Sequence, residues 1–165
     1  MRDRIMKVVS LVLVALCMAG IFWFSAQPAG ESSQTSGGIT NTVISIFFPD
    51  YDTWNAEIQQ NIFDTVDTVI RKLAHFSVYA LLGALCMFAA SRFFEKRFVQ
   101  LSAAGVVSVL YAAGDEFHQY FVPGRSCEFR DVCIDAAGAC LGILFVWLLL
   151  YFAARVKSRR PQKRM

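Results

Sequence analysis

Charge is scarce in this chain. Asp, Glu, Lys and Arg make up only 18% of it, against about 25% in an ordinary soluble domain. Histidine and proline are rarer still, at two and four residues. None of the five cysteines forms a C-x-x-C pair, which removes zinc-ribbon and thioredoxin-like readings. No H-E-x-x-H, Gly-rich phosphate loop or P-S-G-H element occurs, so the usual marks of zinc proteases, nucleotide binders and membrane phosphatases are missing. What fills the 165 residues is apolar: 56% hydrophobic and 14% aromatic, with a mean hydropathy of +0.45. That balance excludes a disordered chain, a secreted disulfide scaffold and an ordinary soluble enzyme. It indicates an integral membrane protein.

Four apolar runs are long enough to cross about 30 Å of hydrocarbon as helices. They are Val8 to Ala26, Leu73 to Ala90, Leu101 to Val122 and Val132 to Ala154. The expected fold is therefore an all-α membrane protein with four transmembrane helices. Residues 1–154 form one domain, and 155–165 form a basic tail. A cleaved signal peptide is the alternative for the first run, but the run is longer than a usual signal core and no clean A-x-A site follows.

The net charge of +3 invites a nucleic-acid reading, and the placement of the bases removes it. Arg2, Arg4 and Lys7 precede span 1. Arg92, Lys96 and Arg97 lie between spans 2 and 3. Arg155, Lys157, Arg159, Arg160, Lys163 and Arg164 follow span 4. No aromatic residues are interleaved for base stacking. The positive-inside rule then puts both termini in the cytoplasm. Only Arg71, Lys72, Arg125 and Arg130 fall on the outer side.

The connection from Gln27 to Lys72 is too long to be a mere linker. Its Gly- and Ser-rich start, Pro28 to Gly38, is expected to be loop. Ile39 to Phe48 is too short to span and reads as an interfacial or re-entrant piece. Trp54 to Ile70 carries Ile58, Ile62, Val66 and Val69 at helical spacing, which predicts an amphipathic helix on the outer leaflet leading into span 2. The cysteines are expected to be small buried hydrophobes.

Ionisable residues in membrane helices are costly and usually face protein or water. Here they fall in stripes. Lys72, His75, Tyr79 and Gly83 share one face of span 2. Tyr111, Asp115 and Gln119 share one face of span 3, with Glu116 turned about 100° away. Asp131, Asp135, Gly138 and Gly142 continue the pattern on span 4, where Gly138 and Gly142 allow close helix approach. Val122-Pro123-Gly124-Arg125 suits a type II turn. On the predicted topology these groups all lie toward the outer face and meet in one pocket. Arg125 is expected to pair with Asp115 or Asp131, or with an anionic ligand. Neutralisation of these charges by one another is the purely structural alternative. N and O donors from His75, Asp115, Glu116, His118 and Asp131 could in principle hold a metal. No signature supports such a site, so no metal is assigned.

Several of these elements recur together. Phe24-Ser25-Ala26-Gln27-Pro28 closes span 1, and Arg71-Lys72-Leu73-Ala74-His75-Phe76 with Tyr79-Ala80-Leu81-Leu82-Gly83 opens span 2. Asp115-Glu116-Phe117-His118-Gln119, Phe121-Val122-Pro123-Gly124-Arg125 and Asp131 follow, then Gly138 and Gly142. In this order the chain resembles the VanZ-like family of small bacterial membrane proteins, from about residue 20 to about residue 145. The family's span 4 usually reads D-x-x-x-N; here Asp135 stands in place of the amide. The resemblance implies a cell-envelope role, and the namesake is linked to tolerance of the glycopeptide teicoplanin.

Three functions compete. In the first, an outward pocket recognises or modifies an anionic lipid-linked or amphiphilic envelope molecule. Its ligand-binding residues would be Ser25, Gln27, Arg71, Lys72, Tyr79, Gln119, Arg125 and Asp135. In the second, an intramembrane enzyme acts on a lipid head group through His75, Asp115, Glu116 and Asp131. In the third, a homodimer joined through Gly138 and Gly142 forms a small transporter. The first is favoured. The partner expected is a membrane lipid or lipid-linked envelope precursor, and no cofactor is specified.

Overall fold

A computed structural model describes residues 1–158. Arg159, Arg160, Lys163 and Arg164 of the predicted tail lie outside the described residues. The architecture is all-helical: α1 (Arg2–Ser25), α2 (Ala29–Phe47), α3 (Ala56–Phe93), α4 (Arg97–Gln119) and α5 (Phe129–Ser158), with a short 3-10 turn at Tyr51–Thr53. Four helices, α1, α3, α4 and α5, are long and apolar enough to cross a membrane. Each corresponds to one predicted span, although α1 ends at Ser25 and α4 at Gln119, one and three residues before the predicted ends.

The helix ends follow from local chemistry. Pro28 stops α1, because the residue before proline is pushed out of the α region. Asn55 caps α3 by accepting the Ile58 amide at 2.9 Å. Tyr51 and Gln59 clasp the turn before it: the Tyr51 hydroxyl donates to the Gln59 carbonyl, and the Gln59 side chain donates to the Tyr51 carbonyl. At the end of α4, Gly124 takes a φ of 74°. Arg125 N–H donates to the Val122 carbonyl at 3.1 Å, which completes the expected turn.

α3 is unbroken over 38 residues, or about 57 Å at 1.5 Å per residue. The predicted amphipathic segment is helical from Ala56 and simply extends span 2. The Gly- and Ser-rich stretch Pro28 to Gly38 is a correction. It is helix, not loop, as the first half of α2. Ser33, Ser36 and Thr40 lie at i, i+3 and i+7 on α2, and all three hydroxyls donate to Asp67 of α3 at 2.9, 2.5 and 3.0 Å. Gly37 leaves room for Phe63. This tertiary contact outweighs the poor intrinsic helix propensity of the segment.

α3 and α5 run parallel along a seam of small residues. A Cβ built on Gly83 would come 2.2 Å from the Ala139 carbonyl oxygen, one on Gly138 2.2 Å from that of Phe76, and one on Gly142 1.8 Å from that of Ala80. Only glycine permits this approach. Gly138 and Gly142 therefore face α3 of their own chain and are not available to a second copy. Tyr111 pins α4 to α1 by donating to the Met18 carbonyl at 2.6 Å. Ile21, Tyr79, Leu82, Met87, Ala112 and Ile143 fill the core between the spans. The cysteines depart from expectation. Cys86 is buried, but Cys127, Cys133 and Cys140 are exposed; the last two lie on the face of α5 away from the seam, where lipid would cover them.

Candidate functional site

The seam between α3 and α5 changes character along its length. Past the glycines toward the N-terminal end of α5 it becomes a ladder of ionisable pairs. Lys72 hydrogen-bonds to Asp131, and His75 Nδ1 lies 3.7 Å from Asp135 Oδ2. One turn separates each rung from the next, because both helices advance with the same period.

The C-terminal turns of α1 and α4 close over this ladder. The Ser25 hydroxyl donates to Asp115 Oδ2 at 2.8 Å, and the Gln119 amide donates to the same oxygen at 3.3 Å. Gln119 presents its carbonyl to Arg125 Nη1 at 3.2 Å. Arg125 also donates from Nε to the Gln27 carbonyl at 3.0 Å and from Nη2 to the Phe24 carbonyl at 3.4 Å. Glu116, about 100° round α4 from Asp115, is buried and accepts the Glu128 amide at 3.3 Å.

Two cavities meet here. A polar one of about 260 Å³ is lined by Arg71, Lys72, His75, Glu116, Gln119, Arg125, Asp131 and Asp135, among others. An apolar one of about 340 Å³ runs between α1, α2 and α3, past Ile21, Phe24, Ile39, Ile70 and Val78, with Ser25 and Gln27 on its wall. Arg71, His75 and Arg125 line both. Asp115 and Tyr79 sit behind the cavities, buried in the bundle. The residues nominated for ligand binding or catalysis thus lie in or directly behind these cavities.

The partners differ from those expected. Arg125 pairs with neither Asp115 nor Asp131. Lys72 takes Asp131, and among the described residues Arg125 is held by neutral acceptors alone. Its guanidinium pKa is lowered, first by burial and then by the charge of nearby Arg71. Arginine starts so high that the charge persists at neutral pH. Arg71 has a carboxylate of its own, Asp67, at 3.2 Å. His118 is no part of the site; its ring stacks on Phe22 with centroids 4.6 Å apart.

Two groups of residues were not anticipated. Glu128 pairs with Lys72 at 3.9 Å and with Arg130 at 3.3 Å at the mouth of the polar cavity. Asp67 and its hydroxyl donors hold α2 in place as a wall of the apolar cavity. The signal for the second group was present in the sequence, since Ser33, Ser36 and Thr40 have helical spacing.

Searches of curated proteins and of solved structures return no match. A family model does match, over residues 10–151, which takes in the second and third spans, most of the first and fourth, and the lining of both cavities. The chain belongs to the VanZ/LLP1 family and is a multi-pass membrane protein of the cell envelope.

Proposed function

We propose that this protein binds an amphiphilic, anionic molecule of the bacterial envelope from the outer side of the cytoplasmic membrane. The anionic group would enter the polar cavity, and an apolar chain would lie in the cavity between α1, α2 and α3. The observation that carries this reading is the shared wall. Arg71, His75 and Arg125 border a polar and an apolar space at once, which is the geometry an amphiphile needs. Arg125 adds the electrostatic argument. It is half-buried, has no carboxylate at ion-pairing distance among the described residues, and is repelled by Arg71. A phosphate or carboxylate would accept from its planar fork and relieve that repulsion.

The basic clusters near both termini and between spans 2 and 3 support the outward orientation. In the VanZ-like setting, such binding would act on an envelope precursor and so alter glycopeptide tolerance. The test is direct binding of a polyprenyl phosphate and its matched polyprenyl alcohol to the protein in nanodiscs. The phosphate should bind at least tenfold more tightly than the alcohol, and Arg125→Glu should erase the difference. Equal binding of both molecules, or full binding by Arg125→Glu, would refute the reading. In a susceptible Gram-positive host, wild type should lower surface binding of fluorescent teicoplanin, and Arg125→Ala at matched membrane levels should not.

A further inference from the structure

Behind the polar cavity, His75 of α3, Asp115 of α4 and Asp135 of α5 converge. One donor atom from each lies within 4.8 Å of the other two. Asp115 and Asp135 are only 5% and 1% exposed. Among the described residues, Asp115 Oδ1 and Asp135 Oδ2 accept no hydrogen bond, and the wholly buried Tyr79 hydroxyl beside them has no partner either. The nearby cations are engaged elsewhere: Lys72 by Asp131, Arg71 by Asp67, Arg125 by Gln119 and two carbonyls. Two buried carboxylates thus share one imidazole and, among the described residues, no lysine or arginine. Buried charge of this kind requires a compensating group.

We propose that His75, Asp115 and Asp135 bind one divalent metal ion of the zinc–manganese class. Carboxylate oxygen with imidazole nitrogen is a donor set that suits these ions. Bonds of about 2.1 Å place neighbouring ligand atoms about 3–3.5 Å apart. His75 Nδ1 and Asp135 Oδ2, at 3.7 Å, are already close to that spacing, and small side-chain rotations bring in Asp115. Ser25 and Gln119 hold the other oxygen of Asp115, as outer partners of metal ligands do. His75 and Asp135 also line the polar cavity. The ion therefore has a coordination position open to that cavity, for water or for an anionic oxygen. The proposal stands whichever molecule the cavity binds.

The full chain in nanodiscs is stripped with a chelator, exposed to zinc or manganese, dialysed and assayed by elemental mass spectrometry. We expect about one ion per chain, and at least tenfold weaker binding in His75→Ala and in Asp135→Asn. Glu128→Gln, at the cavity mouth, should bind as wild type does. Cobalt(II) loading of His75→Cys should add a thiolate-to-metal charge-transfer band absent from wild type and from His75→Ala. That band guards against loss of metal through misfolding, because it requires residue 75 to be a ligand. Wild-type metal content no higher than that of His75→Ala would overturn the proposal. So would a metal-loaded His75→Cys protein without the band.

Discussion

Replacing Asp67 with alanine should release α2 while leaving the four spans assembled. The Asp67 carboxylate is 2% exposed and accepts from Ser33, Ser36 and Thr40 of α2. Hydrogen bonds to a charged group contribute about 1.5–3 kcal/mol each in soluble proteins. Interhelical bonds in membrane proteins average about 0.6 kcal/mol. Ser36 and Thr40 also donate to carbonyls of their own helix, at 3.1 and 3.2 Å, so these hydroxyls keep a partner in the variant. No second acceptor is seen for Ser33. The sum is then about 2–4 kcal/mol for the three bonds. At about 1.4 kcal/mol per factor of ten, amide exchange within α2 should quicken about 30- to 1000-fold. Hydrogen exchange read by mass spectrometry on the protein in nanodiscs measures this segment by segment. Exchange in α4 and α5 should hardly change, and Asp67→Asn, which keeps an acceptor oxygen, should fall between. Equal protection of α2 in wild type and Asp67→Ala would mean that apolar packing holds this helix and the carboxylate does not. Because α2 walls the apolar cavity, Asp67→Ala should also weaken polyprenyl phosphate binding.

Gly142→Val should destabilise the bundle by about 3 kcal/mol or more, since its Cβ would lie 1.8 Å from the Ala80 carbonyl oxygen and backbone would have to move. Gly114→Ala, with open space around it, should melt as wild type does, and a thermal aggregation assay in detergent compares the two. Burial and Arg71 lower the Arg125 pKa. The same surroundings would pull a lysine, which starts lower, toward neutrality. Arg125→Lys should therefore lose anion binding as pH rises through the alkaline range, while wild type holds it, as ligand titrations at stepped pH would read. Cys127 is exposed in the α4–α5 connection. With the other four cysteines replaced by alanine, a membrane-impermeant maleimide should label Cys127 on intact cells. Labelling only after lysis would reverse the proposed orientation.

The spans were legible because an apolar run of about 20 residues has few other uses. The site was legible for a related reason. A polar residue inside such a run is conspicuous, and helical spacing tells which of them share a face. Lys72 and His75, Asp115 and Gln119, and Asp131 and Asp135 could all be grouped on that basis. Which acid meets which base was not legible. The charge and planar fork of Arg125 suit Asp115, Asp131 or an anionic ligand equally, but the α3–α5 register gives Asp131 to Lys72 and leaves Arg125 to carbonyls. Register depends on the depth at which two helices pack, and that depth is set here by Gly83, Gly138 and Gly142 together. α2 failed for the opposite reason. The composition of its first half, Pro28 to Gly38, argues for loop, and the contact that favours helix there comes from a distant segment, where Asp67 accepts from its hydroxyls.

The buried acids of this protein separate into kinds by what surrounds them. Asp67 lies among three hydroxyl donors and an arginine, so its charge is matched within the chain and its role is to hold two helices together. Asp131, less buried, is matched by Lys72. Asp115 and Asp135, 5% and 1% exposed, each leave one buried oxygen without a hydrogen bond, and neither pairs with a lysine or arginine among the described residues. Helix registration would be served as well by Asn at either position, without a charge to stabilise. If these two carboxylates were only structural, Asp115→Asn and Asp135→Asn would each leave the protein as stable as wild type or more so. If they hold an ion, each variant would be at least as stable as the metal-stripped wild type, and added metal would raise the melting temperature of wild type alone. Thermal melts of the three proteins, with and without zinc, decide between the two.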